Sequence, residues 1–411
     1  AQSDVAPRPE QRPGEIRLFA ARGEYEPAAV AVFPLQDAPE LAVSVSDLRE
    51  PTGGVIPSSR IETRLVRMYV TDGPRFVPRY MVLQDRVALD KGLPRQFWFT
   101  LHVPEDAQPG FYRGTVTLAG PQGAKHVPLL VRVLDLALPD VTQREAGAPL
   151  FQLPYYGANW YMFLAGACRE WGRDMGRKYL QADLRFMRER GLTPSFTLYK
   201  TSQAEFYRMS REAGYTVPLS DYGYGGQRFA LSWETNTCGF ERETKTEAGT
   251  PEFEQALRKH LDDLVASWQK DGVPQDGIIL STMDEVGSHL GIKGVEKEKK
   301  IVQVFKDSGK VRHLVFANAP VELQVLPLAD WFAVNPGMHL DQELFDTVRR
   351  SGAKLALFNI GLNRMAYGFY LWRTEAELLW CWHYFRWSSA AYNPFDSDGH
   401  GTHVSGIIAG R

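Results

Sequence analysis

Gly277-Ile278-Ile279-Leu280-Ser281-Thr282-Met283-Asp284-Glu285 is an apolar run that ends in two acids. Read with the two-residue period of a strand, it carries apolar side chains on both faces. That is the pattern of a strand in a parallel sheet with helices on each side. Helical spacing at 252–270 before it and 295–307 after it supplies such helices. Working outward, strand-like runs fall at 150–155, 195–199, 277–283, 313–318, 331–335, 354–359 and 378–384, with a weak one at 229–233. Further helical stretches lie at 173–190 and 341–351 and near 366–374. Eight strand–helix repeats over about 250 residues predict a (β/α)8 TIM-like barrel across 147–395, whose active site belongs at the carboxyl ends of the strands. Asp284 and Glu285 stand at such an end.

The first third of the chain reads differently. Residues 1–14 are rich in Pro, Arg and Glu and read as a mobile lead-in. From 15 to 140 short β-rich runs recur at 28–35, 41–45, 61–70, 96–103, 112–118 and 127–134, with Gly, Pro and Asp between them and no helical period. This predicts an N-terminal antiparallel β-sandwich, closed by Leu138-Pro139-Asp140. The fold class expected is therefore multidomain, β plus α/β, with an atypical tail at 396–411.

Composition narrows the partners. The formal net charge of -2 over 411 residues leaves no basic footprint for nucleic acid or an anionic membrane surface. No apolar run reaches the roughly 20 residues of a membrane-spanning helix. Ten Trp and seventeen Tyr supply flat rings with polar tips, which suit sugar faces as well as large cores. Cys168, Cys238 and Cys381 are too widely spaced for a disulfide framework or a zinc site, so buried inert thiols, no metal and no cofactor are expected. The opening Ala1-Gln2-Ser3-Asp4 has no initiator Met, which fits the mature form of a secreted or periplasmic protein. Oligomeric state is not legible.

Two adjacent acids at a strand end can divide labour, because close like charges push their pKa values apart and leave one protonated. The ordinary use of an Asp-Glu pair is instead an exposed loop or a helix N-cap. Around the expected mouth stand Tyr155, Tyr156, Tyr199, Trp233, Glu234, Asn318, Asn335, Asn359, Trp380, Trp382 and Tyr384. Each aromatic taken singly is more often core than ligand contact. Their shared placement suits a sugar.

Five stretches stand out together: Gly23-Glu24-Tyr25-Glu26-Pro27, Gly110-Phe111-Tyr112-Arg113-Gly114, the Asp284-Glu285 pair, Tyr367-Gly368-Phe369-Tyr370-Leu371-Trp372-Arg373 and Trp382-His383-Tyr384. They carry a resemblance to glycoside hydrolase family 123. It implies a β-sandwich joined to a catalytic barrel, and action on β-linked N-acetylhexosamine, N-acetylgalactosamine above all. It further implies substrate assistance, in which the 2-acetamido oxygen replaces an enzyme nucleophile. Glu285 would then be the general acid, while Asp284 would orient the acetamido N–H and stabilise the oxazolinium-like intermediate. Tyr156, Tyr199, Trp233, Asn335, Trp372, Trp382 and Tyr384 would hold the sugar of an oligosaccharide or glycoconjugate glycan. Val286 stands where many relatives have Pro.

One motif conflicts. Asp398-Gly399-His400-Gly401-Thr402-His403-Val404-Ser405-Gly406 looks like the segment bearing the catalytic His of subtilisin-like proteases. Asp307-Ser308-Gly309 follows an amphipathic helix rather than the apolar strand that should deliver the Asp, and no Gly-Thr-Ser segment follows His400 within the 411 residues. A triad works only as a unit, so the tail is expected to be non-catalytic. The alternatives to a glycosidase are a non-catalytic glycan-binding or scaffold protein of the same fold and, remotely, a protease fragment.

Overall fold

The structure is a computed structural model that describes residues 7–8, 14–70, 76–138, 140, 154–155, 172–196, 203–221, 228–229, 231–232, 234–360, 366 and 370–380. The tail at 396–411, with His400, lies outside the described residues, as does nearly all of 1–14. Two compact units divide the chain between Pro139 and Asp140.

The first unit is built of β1 (Ile16–Arg22), β2 (Tyr25–Val32), β3 (Ala38–Val45), β4 (Leu48–Arg49), β5 (Val55–Ile56), β6 (Ile61–Val70), β7 (Phe76–Leu83), β8 (Arg86–Leu89), β9 (Arg95–His102), β10 (Gly110–Gly120) and β11 (Gly123–Ala137). One sheet runs β1-β11-β10-β3-β8 with β4 and β5 beside β10, and the other runs β2-β9-β6-β7. Along β11 the side chains of Val127, Leu129, Val131 and Val133 are buried while their neighbours are more exposed, the period of a half-buried strand. They share one core with Phe97, Phe99 and Leu101 of the other sheet. The ladders are antiparallel with one exception that corrects the expected all-antiparallel sandwich: β1 runs parallel to β11, Ile16 facing Leu129. A parallel pair needs a crossover, and here the rest of the unit provides it.

The second unit contains β12 (Pro154–Tyr155), α1 (Gly172–Glu189), β13 (Thr193–Phe196), α2 (Gln203–Glu212), β14 (Leu219–Asp221), α3 (Gly239–Thr244), α4 (Pro251–Lys270), β15 (Ile278–Asp284), α5 (Val286–Ser308), β16 (Arg312–Ala317), β17 (Trp331–Val334), α6 (Gln342–Arg350), β18 (Lys354–Phe358), α7 (Leu371–Thr374) and β19 (Leu378–Trp380). Its eight strands form one sheet in sequence order, every ladder parallel. β12 and β19 approach each other, with no ladder between them among the described residues. Ile279, Leu280, Phe316, Ala333 and Ala356 are fully buried, as strands covered on both faces require.

Two expectations need correction. The third strand is Leu219–Asp221, not 229–233. Phe229 lies in a helical turn, its ring edge-on to Phe305 at 5.1 Å, so its apolar neighbourhood reflects packing among helices. Between β16 and β17 the chain makes two 3-10 turns, Pro320–Gln324 and Leu326–Leu328, in place of a helix. Pro327 has no N–H and cannot sit inside an α-helix.

The helix α4 shows why the helical layer forms where it does. Thr250 Oγ1 accepts the Phe253 N–H at 3.3 Å, Pro251 occupies the first turn, and Glu252 and Glu254 face the positive end of the helix dipole. Phe253, Leu257, Leu261, Val265 and Trp268 recur at helical spacing and are buried. No helix among the described residues is long and apolar enough to cross a membrane.

Candidate active site

The site is set by how β15 ends. Ser281 faces Leu314 of β16 and Asp284 faces Phe316, so three steps on β15 match two on β16. That extra residue is a bulge, which bends the strand and re-aims the side chains beyond it. Glu285 follows with φ 49° and ψ 40°, a left-handed conformation that costs a residue with a Cβ about 1–3 kcal/mol. Its N–H donates to Phe316 O at 3.3 Å. Glu285 occupies the N-cap position of α5, yet its side chain makes no cap bond.

The carboxylate of Glu285 turns instead to the next two strand ends. Asn318, directly after β16, donates its Nδ2 to Glu285 Oε2 at 3.2 Å. Asn335, directly after β17, donates its Nδ2 to Glu285 Oε1. Asn318 has its amide orientation fixed, because its Oδ1 accepts the Gly337 N–H at 2.9 Å. A Cβ on Gly337 would collide with both oxygens of Asn318, so this backbone approach requires glycine. Among the described residues Asn335 has no second bond of this kind, so its amide can present either a donor or an acceptor to Glu285.

Behind Glu285 lie two buried acids. Glu322, in the first 3-10 turn after β16, is fully buried. Its Oε1 accepts the Gly287 N–H at 2.8 Å, and its Oε2 accepts the Asn318 and Ala319 N–H groups at 2.7 and 2.8 Å. Burial raises its carboxyl above the usual range, against these three bonds, and the charge of Glu285 adds to the rise. Glu298 of α5 is fully buried too, and neither of its oxygens meets a hydrogen-bond partner among the described residues. Burial, then the nearby Glu322, pushes its carboxyl well above the usual range.

Of the residues expected at the site, Asp284, Glu285 and Asn335 are described and stand together. Asp284 closes β15 and is partly buried. Asn359 follows β18 with φ 55° and donates its N–H to Trp380 O at 3.1 Å. Trp372 lies on α7 with 71% of its surface exposed. Glu234 is exposed in a turn. Trp380, expected at the rim, belongs to the core: it is 1% exposed and edge-on to Phe316 at 5.2 Å. Tyr156, Tyr199, Trp233, Trp382 and Tyr384 lie outside the described residues. Sequence reasoning missed Glu322 and Glu298. For Glu322 there is a signal, Pro320-Val321-Glu322 directly after a strand, the Pro-then-Glu pattern of a helical start. Among the described residues no group of three His, Cys, Asp or Glu could hold a metal ion.

Comparisons with known proteins agree with this geometry at the level of fold. A family model described as the glycoside hydrolase 123 N-terminal domain matches residues 2–120. No curated protein matches the sequence. Among solved structures, a family 123 glycoside hydrolase from Clostridium perfringens, described in connection with glycolipid glycan hydrolysis, superposes with a TM-score of 0.73. It is 12% identical, over 97% of this chain and 83% of that one. A GH10 xylanase with a bacterial Ig-like domain from termite gut reaches a TM-score of only 0.37 at 10% identity, over 96% of this chain and 98% of that one. That second likeness carries no argument.

Proposed function

We propose that this chain is a glycoside hydrolase acting on β-linked N-acetylhexosamine, N-acetylgalactosamine above all, by substrate-assisted, retaining hydrolysis. In this reading the eight parallel strands form a (β/α)8 barrel whose carboxyl-end mouth receives a terminal sugar of a glycan. The observation that carries it is the Glu285 carboxyl, which directly follows the fourth strand beside Asp284 and is held by Asn318 and Asn335 from the ends of the fifth and sixth.

The chemistry follows from those contacts. Protonated Glu285 gives its proton to the glycosidic oxygen as the C1–O bond breaks. The 2-acetamido oxygen attacks C1, and the Asp284 carboxylate accepts the acetamido N–H while positive charge develops on the ring that forms. Glu285, now a carboxylate, takes a proton from water as the water oxygen attacks C1, and the acetamido group is released with net retention. Asn318, locked as a donor, favours the carboxylate form. Asn335, able to turn its amide over, accepts from the acid and donates to its conjugate base, so Glu285 keeps a partner through both steps.

Hydrolysis of chromogenic β-glycosides tests the reading. The expected result is turnover of the N-acetylgalactosaminide or N-acetylglucosaminide and none of the galactoside, which lacks the acetamido group. A folded protein that hydrolyses none of them, yet binds the N-acetylated sugar, would leave the fold as a glycan-binding scaffold.

A further inference from the structure

We propose that Glu322 is a positioning residue of this site, a buried carboxylate whose grip on three backbone N–H groups holds Glu285 and Asn318 in register. The inference rests on reading Glu285 as the general acid.

The two oxygens of Glu322 reach both walls of the site. Oε1 binds the N–H of Gly287, two residues past Glu285, at 2.8 Å. Oε2 binds the N–H of Asn318 itself at 2.7 Å and that of Ala319 at 2.8 Å. One side chain thus ties the end of β15 to the end of β16, which are the segments that deliver the acid and its fixed donor. Among the described residues no cation pairs with it, and the dipoles of three backbone N–H groups face its two oxygens.

Glu285 needs such a brace. Its left-handed backbone is held upstream by its own N–H on Phe316 O and downstream by Gly287 on Glu322. Gly287 is part of the device, because a Cβ there would come within 2.6 Å of Glu322 Cγ and 2.8 Å of Val321 Cγ1. If either strand end moves, the 3.2 Å contact from Asn318 to Glu285 is lost.

A buried carboxylate with backbone partners can also be merely structural, and the same unit contains such a case. Glu241 of α3 accepts the Cys238 and Ala248 N–H groups at 2.8 and 2.9 Å and pairs with Lys297, but among the described residues it bonds to no site residue. The experiment compares Glu322→Gln, Gly287→Ala and Glu241→Gln in the full chain, at a temperature well below each Tm. Glutamine keeps the shape of glutamate but offers one acceptor in place of two. The expected result is a fall of about 10- to 100-fold in kcat, with KM within about threefold, for the first two variants, and an unchanged kcat for Glu241→Gln despite a lower Tm. Gly287→Ala decides the matter if Glu322→Gln does not fold. Wild-type kcat in a folded Glu322→Gln, or an equal loss in Glu241→Gln, would overturn the proposal. Crystal structures of wild type and variant give a readout that survives failure of the glycosidase reading. Loss of the Asn318–Glu285 contact in the variant supports positioning, and its retention overturns it even if the wild type hydrolyses none of the glycosides.

Discussion

Asn335 donates its side-chain amide to Oε1 of Glu285 across 50 positions of sequence, joining the end of the sixth strand to the end of the fourth. The amide at that place can act as donor or acceptor, while the amide of Asn318 on the other oxygen is locked by Gly337. The two asparagines therefore differ in what their loss should do.

Asn318→Ala removes a fixed donor to the carboxylate. An expected fall in kcat of about 10- to 100-fold, at nearly constant KM, is measured on the N-acetyl-β-hexosaminide that the wild type prefers. Asn335→Asp places a like charge beside Glu285, which disfavours its ionised form. The upper limb of the pH profile of kcat/KM is expected to move to higher pH. A shift to lower pH would contradict the assignment of Glu285 as the acid.

Gly337→Ala should reproduce much of the Asn318→Ala defect, although Gly337 makes no bond to Glu285. The added methyl meets Asn318 head-on and must push its amide off the carboxylate. A variant with wild-type kcat would mean that Asn318 tolerates displacement.

Glu298 costs stability, because a buried carboxyl that meets no hydrogen-bond partner among the described residues loses the hydrogen bonds it had in water. Its folded pKa lies above the unfolded 4.5, so its neutral form is matched in both states below that pH. Above it the unfolded chain gains an ionised, hydrated carboxylate that the folded chain lacks, and stability declines as pH rises through the folded pKa. Glu298→Met is expected to be more stable than wild type by about 1–3 kcal/mol, with a larger gain at pH 8 than at pH 5. Thermal unfolding at the two pH values measures this.

His260 has the opposite slope. Burial, then the Arg228 guanidinium, holds its imidazole down at about 4, against an ordinary 6.5. The unfolded chain takes up this proton first as pH falls below 6.5, so stability is lost between 6.5 and 4. His260→Gln removes that contribution, and its denaturation midpoint should fall less steeply than that of wild type across the interval.

The fourth strand and its two acids were legible because an apolar run with no polar face, cut off by Asp284-Glu285, has few other readings. Asn318 and Asn335 could be read as rim residues because each ends a strand-like run, 313–318 and 331–335. What could not be read was their partner: Glu285 and Asn318 are 33 positions apart and Gly287 and Glu322 are 35, and no local pattern encodes the contact. The third strand was misplaced because Phe229 and Leu231 are buried by helix packing, which mimics the alternation of a strand over so few residues. Trp380 was misread for a related reason: the last residue of a short buried strand can still point into the core.

The central claim is that Glu285 delivers the proton and Asp284 steadies the acetamido group. It is tested most directly by the turnover of a chromogenic N-acetyl-β-galactosaminide by wild type, Glu285→Gln and Asp284→Asn, each shown folded by its unfolding transition. Glu285→Gln keeps shape but has no proton to transfer, and Asp284→Asn keeps shape but has no charge to offer. Wild-type turnover with a loss of about 100-fold or more in each variant is the expected result. Undiminished turnover in a folded Glu285→Gln would contradict the account.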